Sequence, residues 1–267
     1  MRRLLNLLAS NAKRGDFRAE GNTIFIYDAI VSSDMEAEWF GGVSAQAFAK
    51  TLAGMTGDVS LRINSPGGDV FAARAMAQAM REYPGAITCH VDGYAASAAS
   101  VIAIAGAKCI MAPGSFMMIH KAWSCVMGNA DEMLSMASLL EKIDGTLAQS
   151  YADRTGGKAS DFADFMAKET WFTPEEAVSA KLADEIAPTA SPDAKASIKW
   201  DLSAYDAAPT PQADTTTVTV TIVIEDDDDA AEEADGGDEL STMPETDTVS
   251  AESERRARIL AARLLTI

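Results

Sequence analysis

Two histidines, His90 and His120, bound any imidazole chemistry this chain performs. His90 ends the β-rich run Ile87–Val91 just before a turn, where a hydrogen-bonded structural histidine is the expected role. His120 closes the apolar run Met117–His120 where a strand gives way to a loop, and strand ends of α/β folds are where functional side chains emerge. A serine able to use such an imidazole lies in Gly93-Tyr94-Ala95-Ala96-Ser97-Ala98-Ala99-Ser100. Ser97 follows a strand and a tight turn and opens a helix of small residues. The unpaired N–H groups and positive dipole end of a helix N-terminus would stabilise an oxyanion formed beside it. The other reading of the same residues is a serine that caps an alanine-rich packing helix. On this segment alone both stay open.

Asn64-Ser65-Pro66-Gly67-Gly68 is either a plain Pro-Gly turn or a backbone loop whose Gly68 N–H faces a substrate oxygen. The chain carries no GxGxxG fingerprint, no GxxxxGK[ST] phosphate loop and no HExxH. Its histidines form no cluster with carboxylates in sequence. No cofactor and no catalytic metal are therefore expected.

Positioning these groups requires alternating strands and helices. Thr23–Tyr27, Val59–Ile63, Ala86–Val91 and Phe116–Ile119 read as strands. Ala45–Ala53, Val70–Glu82, Ala95–Ala105, Ala130–Arg154 and Ser160–Lys168 read as helices. Asp69 stands where an N-cap belongs, and Thr173-Pro174-Glu175-Glu176 is a capping box with proline in the first turn. Repeated β–α–β order predicts parallel strands with right-handed crossovers.

The chain has 267 residues, 48% apolar and 23% charged, with a net charge of −18. Residues 201–267 hold 17 acids against 4 bases, so most of that charge sits at one end. Such a balance argues against nucleic-acid and anionic-membrane partners. Cys89, Cys109 and Cys125 offer neither a disulfide framework nor zinc-ligand spacing, which fits a reducing cytoplasm. The opening MRRLLNLLAS reads as an amphipathic helix, its apolar stretch too short for a signal peptide. Ser191–Asp214, rich in Ala, Pro and Asp, reads as a linker. Thr215–Ile224 alternates like a strand, Glu225–Glu239 has 10 acids in 15 residues and reads as disordered, and Glu252–Ile267 returns to a helical pattern.

In combination, Ser65-Pro66-Gly67-Gly68-Asp69, then Gly93–Ser100, then Met117–Lys121, then Glu169–Ile186 resemble the proteolytic-subunit (ClpP) family of Clp proteases across roughly residues 22–188. Within it the chain is similar to the head-maturation (prohead) proteases of tailed bacteriophages, through Glu169–Ala177 and the acidic extension. The resemblance implies an α/β ClpP/crotonase-like fold of repeated β-β-α spiral units, with a largely disordered acidic C-terminal extension. It implies a serine endopeptidase without cofactor, Ser97 matching the nucleophile and His120 the general base. The oxyanion-hole positions fall on the backbone N–H groups of Gly68 and Ala98. The family's acid position falls on Glu169, where the processive proteases usually carry Asp; Asp161 and Asp164 are the fallback candidates.

The expected organisation is an N-terminal segment (1–21), a protease domain (22–190), an acidic linker or scaffold-like region (191–251) and a C-terminal amphipathic helix (252–267). The expected partners are further copies of the chain in a ring, through the Ala130–Arg154 helix, and phage capsid and scaffold proteins as substrates, within an assembling prohead in the host cytoplasm. The rival expectations are a degradative subunit working with an ATP-dependent unfoldase, a non-enzymatic assembly protein, and a serine–lysine peptidase using Lys121.

Overall fold

β-Branched and apolar runs separated by Ala- and Met-rich helical runs can bury both faces of a sheet only by laying helices against it. The computed structural model, which describes residues 3–189 and 198–209, has this arrangement. Helix α1 (Arg3–Ser10) precedes a hairpin of β1 (Asp16–Glu20) and β2 (Thr23–Tyr27). Strands β3 (Ile30–Val31) and β4 (Val43–Ser44) pair with each other around α2 (Asp34–Phe40). Helix α3 (Ala45–Ala53) leads to β5 (Val59–Ser65), α4 (Val70–Glu82) to β6 (Ile87–Ala96), and α5 (Ala98–Ala103) to β7 (Lys108–Met111). Then follow β8 (Phe116–Ile119), α6 (Ala130–Thr155), α7 (Ala159–Ala167), β9 (Thr170–Phe172), α8 (Pro174–Ser179) and β10 (Glu185–Ile186).

The main sheet runs β1-β2-β5-β6-β7-β10, and β2, β5, β6 and β7 are parallel. Strand β6 is its pivot. Thr88–Val91 pair with β7, whereas Tyr94–Ala96 pair with β8. The sheet therefore forks at Asp92-Gly93, and the residue after β6 emerges in the fork. Ile24, Ile63, Val91 and Met117 from the strands pack with Met76 of α4 and Ile102 of α5 in one core. Each such side chain, fully buried, contributes about 1.5–3 kcal/mol relative to exposure.

Local chemistry starts and stops the helices as the sequence indicates. Asp69 accepts from the Ala72 N–H to cap α4. Thr173 and Glu176 close a reciprocal capping box on α8, and Gly156 ends α6 in the left-handed conformation at φ 71°.

Two expectations need correction. The Ala95–Ala105 helix begins only at Ala98, because Ala95 and Ala96 continue β6 against Met117 and Met118. Alanine's helix preference is worth a few tenths of a kcal/mol per residue and yields to a strand partner. Ser191–Asp214 is not linker throughout, since Trp200, Leu202 and Tyr205 are buried against Leu7, Ala96 and Met118. The compact unit continues to Ala208. The strand expected at Thr215–Ile224, the disordered run Glu225–Glu239 and the helix Glu252–Ile267 lie outside the described residues.

Candidate active site

The fork in the sheet places Ser97. Its N–H donates to the Met118 carbonyl, and its backbone takes φ 53° and ψ −121°, a conformation L-residues rarely hold. The Ser97 hydroxyl does not cap α5. It lies 2.7 Å from His120 Nε2 instead. A buried chain steadies the turn: the Ser100 hydroxyl donates to the Ser97 carbonyl at 2.6 Å and shares a 2.7 Å hydrogen bond with the Tyr151 hydroxyl of α6.

His120 leaves the end of β8 and is 9% exposed. Trp123 and Tyr205 cover its ring edge-on, at centroid distances of 4.4 and 5.4 Å. Burial, and secondarily the charge of Arg3, pull its pKa down to about 4, so near neutrality the imidazole is uncharged. An uncharged Nε2 facing a serine hydroxyl can accept its proton. His90, by contrast, lies mid-sheet opposite Arg62 and Ile110, away from this cluster.

Gly68 sits in a bridge to Ile30 in which the Ile30 N–H donates to Gly67 O and the Asp69 N–H donates to Ile30 O. Both bonds belong to its neighbours, so the N–H of Gly68 itself points away from Ile30. Its φ is 143°, and a Cβ there would run into the Ile30 carbonyl, so only glycine fits. Ala98 is the first residue of α5, and its N–H is one of the helix's orphan donors. Gly68 and Ala98 line the same cavity as Ser97 and His120.

Glu169 occupies a telling position. Strands β8 and β9 pair Met117 with Phe172, Met118 with Trp171 and Ile119 with Thr170. One step further along the same antiparallel register lie His120 and Glu169. The backbone thus places the two residues opposite each other, yet no hydrogen bond joins their side chains. Ser97 is the only hydrogen-bond partner of His120 among the described residues. Glu169, at φ 50°, turns its carboxylate outward. There it accepts from Asp206 N at 3.0 Å, Ala207 N at 2.7 Å and Trp171 Nε1 at 3.3 Å. Asp161 and Asp164 are exposed on α7, and Lys121 is also exposed.

The residues that sequence reading missed come from both ends of the compact unit. Tyr205 lies between His120, Trp123 and Trp171 and donates its hydroxyl to Pro66 O at 2.6 Å. A cavity of about 230 Å³ opens beside Ser97 and His120, walled by Val70, Val101, Ile143, Leu147 and Tyr205. Among the described residues no group of His, Cys, Asp and Glu is arranged to hold a metal, and no helix is long and apolar enough to cross a membrane.

The Clp protease family model matches residues 22–190. The chain is 30% identical over 131 residues to ATP-dependent Clp protease proteolytic subunit 3 of Rhodococcus jostii (strain RHA1), covering 48% of this chain and 65% of that one. Over 175 residues it is 29% identical to proteolytic subunit 2 of Corynebacterium glutamicum, covering 62% and 86%. It spans 60–65% of the length of the first three curated relatives it matches. Among solved structures, a ClpP1 mutant from Listeria monocytogenes superposes with a TM-score of 0.54 at 21% identity, over 62% of this chain and 91% of that one, which speaks for the fold. With Ser97 and His120 meeting at a fork in a parallel sheet, and with the matched region spanning most of the compact unit, this chain belongs to the Clp protease family.

Proposed function

We propose that this protein is a self-assembling serine endopeptidase that processes phage head proteins, scaffold and its own C-terminal extension among them. The observation that carries the peptidase reading is the 2.7 Å contact between Ser97 Oγ and a neutral His120 Nε2. In this reaction the Ser97 hydroxyl attacks the scissile carbonyl while its proton passes to Nε2. The tetrahedral oxyanion is held by the Gly68 and Ala98 N–H groups, and His120 then returns the proton to the leaving amine. Glu169, rotated inward from its register position, fixes the imidazole tautomer. The apolar cavity beside Ser97 receives a hydrophobic side chain. The exposed Met133, Leu134 and Leu139 of α6 offer apolar side chains to neighbouring copies.

The head-processing part rests on sequence. The stretch that follows the compact unit is acidic and contains Pro and Ala, the composition that a soluble, removable scaffold segment needs. Coexpression with the capsid protein tests it: wild type should process capsid or its own tail, by intact mass, and Ser97→Ala should not. Identical products from both would overturn the proposal.

A second reading has its own support, because the curated relatives named above are proteolytic subunits of ATP-dependent proteases. In that reading the chain degrades unfolded protein fed by an unfoldase. Cleavage of a folded substrate only when unfoldase and ATP are supplied would favour it.

A further inference from the structure

We infer that residues 198–208 are an intramolecular inhibitory strap that closes the Ser97 site and holds Glu169 away from His120. The inference rests on the serine-peptidase reading above. It begins with what occupies the site. Tyr205 is buried at 5% exposure on the Ser97–His120 pair, with its hydroxyl bonded to Pro66 O, one residue before the Gly67-Gly68 loop. An extended peptide reaching Ser97 needs that space.

The strap is clamped along its length. The Asn11 amide, 1% exposed, donates to Asp201 O at 2.8 Å and accepts from Asp201 N at 2.7 Å, so it reads the strap backbone as a strand would. Trp200 Nε1 donates to Asn64 Oδ1 at 3.0 Å. The Arg3 guanidinium grips Asp206 through both carboxylate oxygens at 2.6 and 2.8 Å and stacks over Trp123. Asp206 N and Ala207 N take the two oxygens of Glu169. That last pair gives the strap a chemical effect beyond bulk. The two backbone N–H donors hold the carboxylate on the strap and away from the imidazole on the opposite strand.

The parts of the lock share an origin. Arg3, Leu7 and Asn11 of the N-terminal segment, and Trp200, Leu202 and Tyr205 of the strap, all lie outside residues 22–190, where the family match falls. The groups that the chemistry needs, Gly68, Ser97, Ala98, His120 and Glu169, all lie inside it. Two flanking segments thus converge on a site that is complete without them. Release of the strap frees Glu169 to rotate onto His120 and opens the cavity beside Ser97.

The test uses the full chain. Fluorophosphonate labelling of Ser97 and hydrolysis of a short unstructured fluorogenic peptide are compared for wild type, Tyr205→Ala and Leu202→Asp. Leu202→Asp places a charge where the strap packs, and both substituted positions lie outside residues 22–190. Hydrogen exchange in β5 and β6 reports that the body stays folded in each. Labelling and turnover should both rise about tenfold or more in each variant, with strap amides losing protection. Equal rates in wild type and a folded variant would overturn the strap while leaving the peptidase reading intact. No labelling of any chain, with strap protection lost as expected, would overturn the peptidase reading and the inhibitory role with it.

Discussion

The two sides of the Ser97 site are built on different physical terms. On one side, β5, β6 and the first turn of α5 fix Ser97, Gly68 and Ala98 through parallel backbone pairing, with Ala95, Ala96 and Ala99 entirely buried. Nothing there can move without opening the sheet. On the other side, residues 198–208 cover His120 with Tyr205 and bind Glu169 through two backbone N–H groups, and the N-terminal segment fastens them through the Asn11 amide and an exposed ion pair. Exposed ion pairs and single hydrogen bonds each contribute about 1 kcal/mol or less. The Ser97 half of the site is therefore held by topology, whereas in the inhibitory-strap proposal access to it and the placement of Glu169 depend on residues 198–208.

Glu169 gives the most severe test of this contrast, because it belongs to both sides. In the strapped chain Glu169→Gln loses a charged acceptor for Asp206 N and Ala207 N, so fluorophosphonate should reach Ser97 faster. In a strap-released background the same substitution removes the anion that orients His120, and peptide turnover should fall by about 10³- to 10⁴-fold. Labelling under saturating probe and steady-state turnover, measured on the same preparations, separate the two effects. Changes of the same sign in both would place Glu169 on one side only.

Gly68→Ala probes the rigid side. A Cβ at φ 143° meets the Ile30 carbonyl, so the loop must shift and carry its N–H off the oxyanion. Loss of one such donor lowers kcat by about 100- to 1,000-fold. Strap release should not restore any of it, and strap-amide protection should be unchanged. Rescue of Gly68→Ala by Leu202→Asp would show that the Gly68 loop and the strap are one unit.

Sequence patterning foretold the rigid side far better than the strapped one, for physical reasons. Strand β2, helix α4 with its Asp69 cap, and the Thr173 capping box are local codes of periodicity and capping, legible without a partner. The extension of β6 through Ala96 is not local, since it depends on β8 arriving alongside. Strand β9 has only three residues, too few for a period to register, yet its register brings Glu169 opposite His120. Trp200, Leu202 and Tyr205 stand among Ala, Pro and Asp, a composition that reads as linker. The signal that could have exposed the strap is the pair of aromatics, in a chain with 7% aromatic residues, at a place where a linker has no use for them.

The smallest expected effect concerns pH, and it couples the two sides. With the strap closed, His120 stays neutral down to about pH 4, whereas a solvated histidine takes up its proton near 6.5. As pH falls from 6.5 towards 4, the open and unfolded states bind a proton that the closed state does not, so acid weakens the closed state. Below about 4 both are protonated and the loss stops growing. Linkage bounds the effect at about 3 kcal/mol. Ser97, Trp123 and Tyr205 face the ring, and Arg3, over Trp123, is the nearby group that acts on it electrostatically and is charged across this window. A global melting curve will not isolate the effect. Asp28, whose pKa burial raises to about 6, contributes stability below 3.8 that is lost as pH rises through 6, opposing His120 in the same range. The difference in unfolding free energy between wild type and His120→Gln cancels Asp28. That difference should move against wild type on acidification, and a flat difference from pH 7 to 4 would mean that closing the strap leaves the His120 imidazole open to solvent.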